Sequence, residues 1–273
     1  MLNVALIGAS GRMGRALVRC VHDAEDLQLV GAVAEPGDPD LGNDAGRLID
    51  VDSIGVALTD NTVAGVQSAH AAIDFTLPAA LAGTLKACVT QGVPLVVGTT
   101  GLRAPQLGAL KEAAQTIPLV YARNMSVGVN VFMELVRRGA QALDADYDVE
   151  IIEAHHRHKV DAPSGTALAL GELVAEARGG SLDELGIFAR EGQIGARTPG
   201  SIGFSVIRAG NIVGEHTVVF GSADERLELT HRAADRAVFA KGALRAARWV
   251  AGRAPGLYDM ADVLGFTKND LDR

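Results

Sequence analysis

Short apolar runs alternate with amphipathic segments along the first half of the chain. Five runs have the length and composition of buried strands: residues 2–7, 27–34, 71–75, 94–97 and 117–121. Residues 54–58 form a weaker candidate. Between the strands, apolar side chains repeat at helical spacing in residues 11–24, 78–91 and 104–116. This alternation predicts a doubly wound α/β domain, in which helices cover both faces of a parallel sheet.

The order of elements changes near residue 147. The pattern then predicts a strand, a helix, three strands and a helix, at 148–155, 166–178, 202–209, 212–220, 226–231 and 236–251. Strands in succession favour a mixed or antiparallel sheet. The last helix is expected to return to the first domain. We therefore predict one domain of residues 1–126 with 238–273 packing back onto it, and a smaller α+β domain of residues 127–237.

Composition narrows the class of protein. The chain has 273 residues and a formal net charge of -8, which argues against a broad nucleic-acid surface. Its two cysteines, Cys20 and Cys88, lie in helical patterns and fit free thiols in a cytosolic protein. The apolar start at 2–7 is too short for a signal sequence, and no run reaches the length of a membrane span. We expect a cytoplasmic protein that binds neither nucleic acid nor membranes.

A glycine turn separates the first predicted strand from the first helix, with the sequence Gly8-Ala9-Ser10-Gly11-Arg12-Met13-Gly14. Glycine permits a tight turn, and the N–H groups of the following helix attract phosphate. The pattern alone is weak, but its place between strand and helix predicts a dinucleotide pyrophosphate site. Glu35 ends the second strand and is placed to bind the adenosine ribose hydroxyls, although an acid there could also be merely solvated.

Three further loops follow strands of the same predicted sheet. They carry Thr76, Gly98-Thr99-Thr100 and Ala122-Arg123-Asn124-Met125. Ligands of open α/β sheets bind at the carboxyl ends of the strands, so these loops should line the cofactor site. Thr100 could equally be a helix cap. Gly98 and Asn124 together are harder to explain without a ligand.

Residues 153–166 hold the densest chemistry of the chain. Three histidines, an arginine and a lysine stand just before a predicted helix: His155, His156, His158, Arg157 and Lys159. Histidine exchanges protons near neutral pH, and lysine offers a charge and a proton. Ser164 fits the N-cap, and Gly165 lets ligand oxygens approach the positive end of the helix. The segment predicts a pocket for a carboxylate-bearing substrate.

The same segment allows two other interpretations. His156 and His158 could bind zinc with Glu153 or Asp161, but there is no further His/Cys cluster and no helical i, i+4 pair. The segment could also be a solvated basic strand end. No metal is predicted.

Taken together, these motifs resemble the family of 4-hydroxy-tetrahydrodipicolinate reductase, also called dihydrodipicolinate reductase, of bacterial diaminopimelate and lysine biosynthesis. The resemblance covers nearly the whole chain, through residues 8–14, 74–76, 97–101, 124–130, 153–166 and 214–216. It implies a Rossmann-like cofactor domain, a smaller substrate domain whose sheet helps to build a homotetramer, and a nicotinamide hydride donor. The implied substrate is a cyclic imine dicarboxylate, held in a cleft whose closure would exclude water.

The resemblance also assigns roles to residues. His155 is similar to the family's proton donor or acceptor and Lys159 to its proton-donating lysine, and which of the two delivers the proton stays open. His156, Gly165 and Thr166 correspond to contacts with the substrate carboxylates. The implied cofactor contacts are Gly8, Ala9, Ser10, Gly11, Arg12, Met13, Glu35, Gly98, Thr99, Thr100, Ala122, Arg123, Asn124 and Met125.

Two positions depart from the family pattern. Many members carry a basic residue after the ribose-binding acid, where this chain has Pro36. Because Glu35 would repel a 2′-phosphate, we expect NADH to be preferred over NADPH, with Arg12 best placed to rescue phosphate binding. Met125 replaces an aromatic residue that packs near the cofactor.

Two other functions remain open from the sequence. A semialdehyde dehydrogenase would need a catalytic cysteine or a lysine–aspartate pair in the second half, and that half has no cysteine. A non-catalytic NAD(H) sensor would bind the dinucleotide without needing the His155 and Lys159 cluster.

Overall fold

A computed structural model describes residues 1–266, which divide into two compact units. The first comprises Met1–Val127 and the described residues from Arg236 onward, and the second is Gly128–Asp235. The strands are β1 (Leu2–Ile7), β2 (Leu27–Val33), β3 (Leu58–Thr59), β4 (Ala71–Asp74), β5 (Leu95–Val97), β6 (Pro118–Tyr121), β7 (Asp148–His155), β8 (Gly186–Ile187), β9 (Ile202–Arg208), β10 (Gly214–Gly221), β11 (Arg226–Ala233) and β12 (Gly256–Tyr258). The helices are α1 (Arg12–His22), α2 (Thr62–Val66), α3 (Leu81–Gln91), α4 (Ala104–Ala113), α5 (Val127–Ala142), α6 (Gly165–Ala177), α7 (Leu182–Leu185), α8 (Ala237–Val250) and α9 (Met260–Leu264), with a 3-10 turn at Ala45–Ile49.

The sheet of the first unit is parallel, in the order β12-β6-β5-β4-β1-β2-β3. From β1 the sheet extends through β2 to β3 on one side, and from β4 through β5 and β6 to β12 on the other. The predicted doubly wound, Rossmann-like fold is confirmed. The order in which strands are added reverses between β1 and β4, and sheets of this type bind ligands at that point.

Two apolar layers enclose this sheet, because successive side chains of a strand point to opposite faces. Val4 and Leu6 of β1 belong to one core, and Ala5 and Ile7 to the other. The first core includes small residues of α8, such as Ala243 and Ala247, so that this late helix packs within the first unit. The predicted return of residues 238–273 also includes 267–273, which lie outside the described residues.

The second unit has a mixed sheet in the order β11-β10-β7-β9-β8. Central β7 is antiparallel to β10 and parallel to β9. One face is covered by α5 and α6, whose Phe132, Val136 and Leu170 share a core with Ile151 and Phe220. The predicted mixed sheet is therefore confirmed. Within residues 1–266, no helix has both the length and the apolar composition that crossing a membrane requires.

Some predicted boundaries are wrong. The third helix begins at Leu81, three residues after the predicted start at Pro78, because Ala80 first closes a turn on the Leu77 carbonyl. Residues 54–56 are not a strand. Helix α5, the short α2, α7 and α9, and the short strands β8 and β12 were not predicted.

The side chain of Asp44 explains why residues 54–56 do not join the sheet. Its carboxylate accepts the backbone N–H groups of Ile54, Gly55 and Val56 at 2.8–3.1 Å, and that of Gly46 at 2.8 Å. These bonds, first among them the one from Ile54, lower the pKa of Asp44 to about 2. The strand β3 is thereby limited to two residues beside β2.

Replacing Asp44 tests this anchor. Asp44→Asn removes the charge that several N–H groups share, so we expect the free energy of unfolding at pH 7 to fall by about 1.5–3 kcal/mol. The pKa of Asp44 is lower in the folded state, so its stabilisation is present above pH 4 and is lost as the pH falls towards 2. Urea unfolding at several pH values measures both effects. Asp52→Asn, at an exposed carboxylate of the same loop, is the control, and equal effects of the two changes would refute the anchor.

Candidate active site

The glycine turn between β1 and α1 has the geometry of a phosphate site. Gly8 has a φ of 85°, and its N–H and that of Ala9 bond the Val33 carbonyl at 2.9 and 2.8 Å. A Cβ at Gly14 would collide with the backbone of Gly8 and Ala9, so glycine lets the helix approach the turn. Gly11 is the N-cap without a side chain, and the first turn of α1 has no acidic residue. These features fit the pyrophosphate of a dinucleotide, with Ser10, Arg12 and Met13 completing the predicted set.

Acidic groups gather next to this turn, after β2. Glu35, the predicted ribose contact, is exposed and lies two residues beyond the strand that it was predicted to end. The Ser10 hydroxyl, followed by the N–H of Asp40 at 2.9 Å, lowers the pKa of Asp38 below its usual value. Arg15 bonds the Ser10 carbonyl at 2.9 Å and lies 3.4 Å from the Asp40 carboxylate. This loop therefore carries several carboxylates, and one of them, Asp40, pairs with Arg15.

The loops after β4 and β5 are joined by a buried carboxylate. Asp74 Oδ1 accepts the N–H and hydroxyl of Thr76, both at 2.7 Å, and the hydroxyl of Thr99 at 3.0 Å. A Cβ at Gly98 would collide with the ring of Phe75. Gly98 and Thr99 therefore have structural roles of their own, and they stand at the predicted edge of the sheet. Thr100, the next residue, is exposed there.

The loop after β6 is more buried than the others. Met125 is 2% exposed, and a Cβ at Gly242 of α8 would collide with its carbonyl oxygen. The side chain of Met125 therefore packs within the first core. Asn124 Oδ1 accepts the N–H of Ser126 at 2.9 Å, which holds the turn into α5. Ala122 and Arg123 complete this predicted segment between β6 and α5.

In the second unit, strand register brings the candidate proton-transfer groups together. The pairing of β7 with β10 sets Glu153 opposite His216, and its parallel pairing with β9 sets His155 beside Arg208. Glu153 and His155 are two residues apart, so they share the face of β7 that carries Ile151 into the core. At the end of this face that carries His155, buried polar side chains therefore lie where apolar side chains lie further back along the strand.

Glu153 is the centre of this cluster, and its side chain is fully buried. Its Oε2 lies 2.6 Å from Nδ1 of His155 and accepts Nη1 of Arg208 at 2.8 Å. Its Oε1 accepts Nη2 of Arg208 at 2.7 Å and the N–H of Ser164 at 2.9 Å. Burial would raise the pKa of Glu153, but the bonds from Arg208 and then His155 lower it overall. The carboxylate is therefore charged, and four hydrogen bonds hold it in place.

Both histidines of the cluster favour the neutral state. Burial lowers the pKa of His155 despite the opposing effect of Glu153, and Lys159 and Arg208 add to the lowering. Burial, followed by the charge of His155, lowers the pKa of His216 to about 4. With Nδ1 of His155 bonded to Glu153, Nε2 is the nitrogen left for a ligand. A Cβ at Gly214 would lie 3.1 Å from that Nε2, so glycine there limits crowding around it.

The start of α6 lies beside these groups. Ser164 is the N-cap, and its hydroxyl accepts the N–H of Ala167 at 3.2 Å and lies 3.1 Å from Nε2 of His216. Gly165 is the first residue of the helix and is exposed, with Thr166 next to it, partly buried. His156 follows directly after β7 and is partly buried. The three predicted substrate contacts therefore flank the cluster.

Lys159 forms an ion pair with an acidic residue of its own loop. Its Nζ lies 2.8 Å from Oδ1 of Asp161. Burial would raise the pKa of Asp161, but the bonds from Lys159 and from the N–H of Gly165 help to lower it overall. Asp161 thus binds two groups that were predicted to serve a substrate. Among residues 1–266, no group of three or more His, Cys, Asp or Glu side chains is arranged to hold a metal ion.

Sequence reasoning missed Arg208 and gave no role to His216. Glu153 was considered only as a possible zinc ligand. One signal was available, because an acid on the apolar face of a central strand needs a buried cation. The sequence did not say which of its arginines would supply it, since that depends on the register between β7 and β9.

Known proteins match this chain in both units of the fold. Residues 2–125 match the family described as dihydrodipicolinate reductase, N-terminus, and residues 128–264 match dihydrodipicolinate reductase, C-terminus. The 4-hydroxy-tetrahydrodipicolinate reductase of Alkalilimnicola ehrlichii is 55% identical over 262 residues, covering 96% of this chain and 98% of that protein. The protein of the same name from Thiobacillus denitrificans is 52% identical over 264 residues, with 97% and 98% covered.

A solved structure extends the comparison. Dipicolinate-bound dihydrodipicolinate reductase from Paenisporosarcina sp. TG-14 has a TM-score of 0.77 to this chain at 26% identity. The match covers 96% of this chain and 98% of that one. Both units of the fold are therefore shared with it.

Proposed function

This chain belongs to the dihydrodipicolinate reductase family, and we propose that it reduces 4-hydroxy-tetrahydrodipicolinate to tetrahydrodipicolinate in diaminopimelate and lysine biosynthesis. It is an oxidoreductase that uses a nicotinamide coenzyme. The observation that carries the proposal is the buried Glu153–His155 pair, which stands with Lys159 beside the exposed start of α6. The cytoplasmic location predicted from the sequence is part of the same proposal.

The two units have separate tasks in this proposal. The first holds the coenzyme, with the pyrophosphate at the turn before α1 and the adenosine ribose at Glu35. When bound, the reduced nicotinamide supplies a hydride. The loops at Thr76, at 98–100 and at 122–125 serve the same ligand. The second unit binds the substrate and supplies the proton.

The substrate is a ring with two carboxylates, and the second unit offers groups for such anions. The solved relative from Paenisporosarcina holds dipicolinate, which is also a cyclic dicarboxylate. We assign His156, Gly165 and Thr166 to the carboxylates, because they flank the start of a helix without an acidic first turn. The carboxylate of Asp161 interacts with Gly165 and Lys159 in the free protein, so a substrate carboxylate would take its place.

The proton has two candidate sources, and the electrostatics favour one. After loss of water, the ring accepts one hydride and becomes an enamine, whose carbon then takes one proton. Burial keeps the pKa of His155 below its usual value, so at neutral pH this ring is mostly neutral in the free protein. Lys159 forms an ion pair with Asp161. We therefore assign proton delivery to Lys159, and to His155 a hydrogen bond from or to Nε2 that orients the substrate.

Charges near the adenosine ribose favour NADH over NADPH. A 2′-phosphate next to Glu35 would meet a like charge, and Asp38 and Asp40 add two more carboxylates to the same loop. Arg15 is held by the Ser10 carbonyl and by Asp40. Pro36 offers no charge. Arg12 is exposed and remains the side chain best placed to bind a 2′-phosphate.

The uncovered face of the mixed sheet supports a homotetramer. Side chains on this face include Ile152, 37% exposed, Ile207, 47% exposed, and Thr217, which bonds Thr230 across the strands at 3.0 Å. By strand register Ser205, Ile152, Thr217 and Thr230 form an uncharged strip across four strands, flanked on one side by the Glu215–Arg232 ion pair. A second copy of the chain could cover this strip.

The reaction itself is tested by following coenzyme oxidation with freshly generated 4-hydroxy-tetrahydrodipicolinate. We expect rapid turnover by the wild type and a loss of about 10²–10⁴-fold in Lys159→Ala and in His155→Ala, since each removes a positioned proton-transfer group. Coenzyme binding and thermal unfolding should be unchanged in Lys159→Ala, and His22→Ala, at an exposed histidine of α1, should keep full activity. A folded wild type that binds coenzyme but turns nothing over would refute the assignment and favour a sensor.

Coenzyme preference is tested with both nucleotides. We expect kcat/KM to be at least about tenfold higher with NADH, because repulsion at Glu35 weakens NADPH binding. Pro36→Arg should narrow or reverse the ratio by pairing with the 2′-phosphate, whereas Pro39→Arg, exposed in the same loop, controls for added charge alone. Direct titration of the free protein with each coenzyme gives a second reading. Equal or better efficiency with NADPH in the wild type would refute the preference.

Assembly is tested by light scattering after size-exclusion chromatography. We expect the wild type to have the mass of four chains and Ile152→Arg to dissociate, because the substitution buries an unpaired charge at each interface. Val63→Arg places the same charge on the exposed surface of α2 and should leave the mass unchanged. A tetramer that survives Ile152→Arg would exclude this face as an interface.

A further inference from the structure

We propose that Arg208 is a positioning residue that holds the two proton-transfer side chains, His155 and Lys159, in one arrangement. It does so through Glu153 on one side and through the backbone of Asp161 on the other. The inference rests on the proposed function, because it assumes that His155 and Lys159 act on the substrate.

The guanidinium of Arg208 makes four hydrogen bonds within the second unit. Nη1 and Nη2 donate to the two carboxylate oxygens of Glu153 at 2.8 and 2.7 Å, which is the two-pronged geometry that only arginine provides. Nη2 also donates to the Asp161 carbonyl at 2.6 Å, and Nη1 to the Ile207 carbonyl at 2.8 Å. Arg208 therefore joins β9 to both β7 and the loop that follows β7.

On the first side, Arg208 and His155 share one oxygen atom. Glu153 Oε2 accepts Nη1 of Arg208 and lies 2.6 Å from Nδ1 of His155. A rotation of the carboxylate would move the imidazole with it, so the fork from Arg208 sets the orientation of the ring. It also neutralises much of the carboxylate charge that the ring experiences. Charged or titratable groups around His155 are Glu153 on β7, Arg208 on β9, His216 on β10 and Lys159 on the loop.

On the second side, Arg208 anchors the loop that carries Lys159. This loop protrudes into solvent, since Val160 is 97% exposed and Asp161 is exposed as well. Such a segment has little packing to define its position. The bond from Arg208 fixes the Asp161 carbonyl, and the carboxylate of the same residue binds Nζ of Lys159 at 2.8 Å. The position of the lysine thus depends on an arginine of a different strand.

The first experiment separates charge from geometry at Arg208. Arg208→Lys keeps the charge but loses the fork, and Arg208→Gln loses both. We expect kcat to fall about 10–100-fold in both variants, while the KM for coenzyme stays within about twofold, because the coenzyme residues belong to the other unit. NMR titration of the His155 ring should show a pKa raised by about one unit in Arg208→Gln, since the carboxylate would then act on the ring without its counter-charge.

The chain contains a matched control. Arg190 makes the same fork on Glu150, another glutamate of β7, at 2.9 and 2.8 Å. Arg190→Lys should therefore remove a similar two-pronged ion pair without changing kcat or the titration of His155. If Arg208→Lys and Arg208→Gln behave as Arg190→Lys does, the proposal is overturned.

The second experiment asks whether Arg208 acts through its two partners. In a protein that already carries His155→Ala and Lys159→Ala, Arg208→Lys should reduce the residual kcat by less than about twofold, because nothing remains to be positioned. An undiminished reduction there would show a role independent of both groups and would overturn the proposal. Should Arg208→Gln fail to fold, Glu153→Gln/Arg208→Gln removes both charges of the pair, and the titration of His155 should then shift downward.

Failure of the proposed function would be visible separately. If the wild type does not reduce the substrate, the kinetic results say nothing about Arg208, but the titration of His155 in Arg208→Gln still tests the coupling. An unchanged titration in that variant would overturn the coupling whatever the reaction is.

Discussion

The buried carboxylate of Glu153 is the constraint that organises the second unit. A charge removed from water is strongly destabilising unless it is paired and fully hydrogen-bonded. Both oxygens are accordingly occupied, by Arg208, by the Ser164 N–H and by Nδ1 of His155. These partners come from β9, from the start of α6 and from β7 itself. Satisfying one side chain therefore fixes a strand, a helix terminus and a histidine relative to one another, which the apolar core alone would leave less well defined.

In the first unit, main-chain groups define the geometry of the candidate phosphate site. Its turn before α1 attracts an anion through helix N–H groups, and Gly8 and Gly14 let the backbone approach closely enough to form it. Charged side chains near the turn include the acids after β2 and the arginines Arg12 and Arg15. In the proposed function, the backbone dipoles bind either dinucleotide, and the acids after β2 favour NADH over NADPH. This proposed selectivity lies in a surface loop, where a substitution has little effect on the stability of the fold.

Much of the fold could be predicted from the sequence because the strands of the first sheet are short and mostly apolar. The predicted limits of β1 and β7 agree with the structure, and the motifs fell at the carboxyl ends of the strands. Residues 54–56 were misread because the carboxylate of Asp44, ten or more residues earlier, takes their N–H groups. Helix α5 was missed although Val129, Phe132, Val136 and Ala140 mark its buried face. The role of Arg208 was out of reach, since its partner lies 55 residues away and is set by a parallel pairing.

The pairing of Glu153 also affects the protonation of His155, which lies in the same cluster as Lys159. An unshielded carboxylate would hold His155 as an imidazolium, and the site would then carry two protonated donors next to the substrate. Burial, helped by the charges of Lys159 and Arg208, outweighs that effect, so the pKa of His155 lies below its usual value. In the proposed reaction the ring orients the substrate through Nε2, and Lys159 delivers the proton. The cluster would then supply a single proton, which is the number that the reduction consumes.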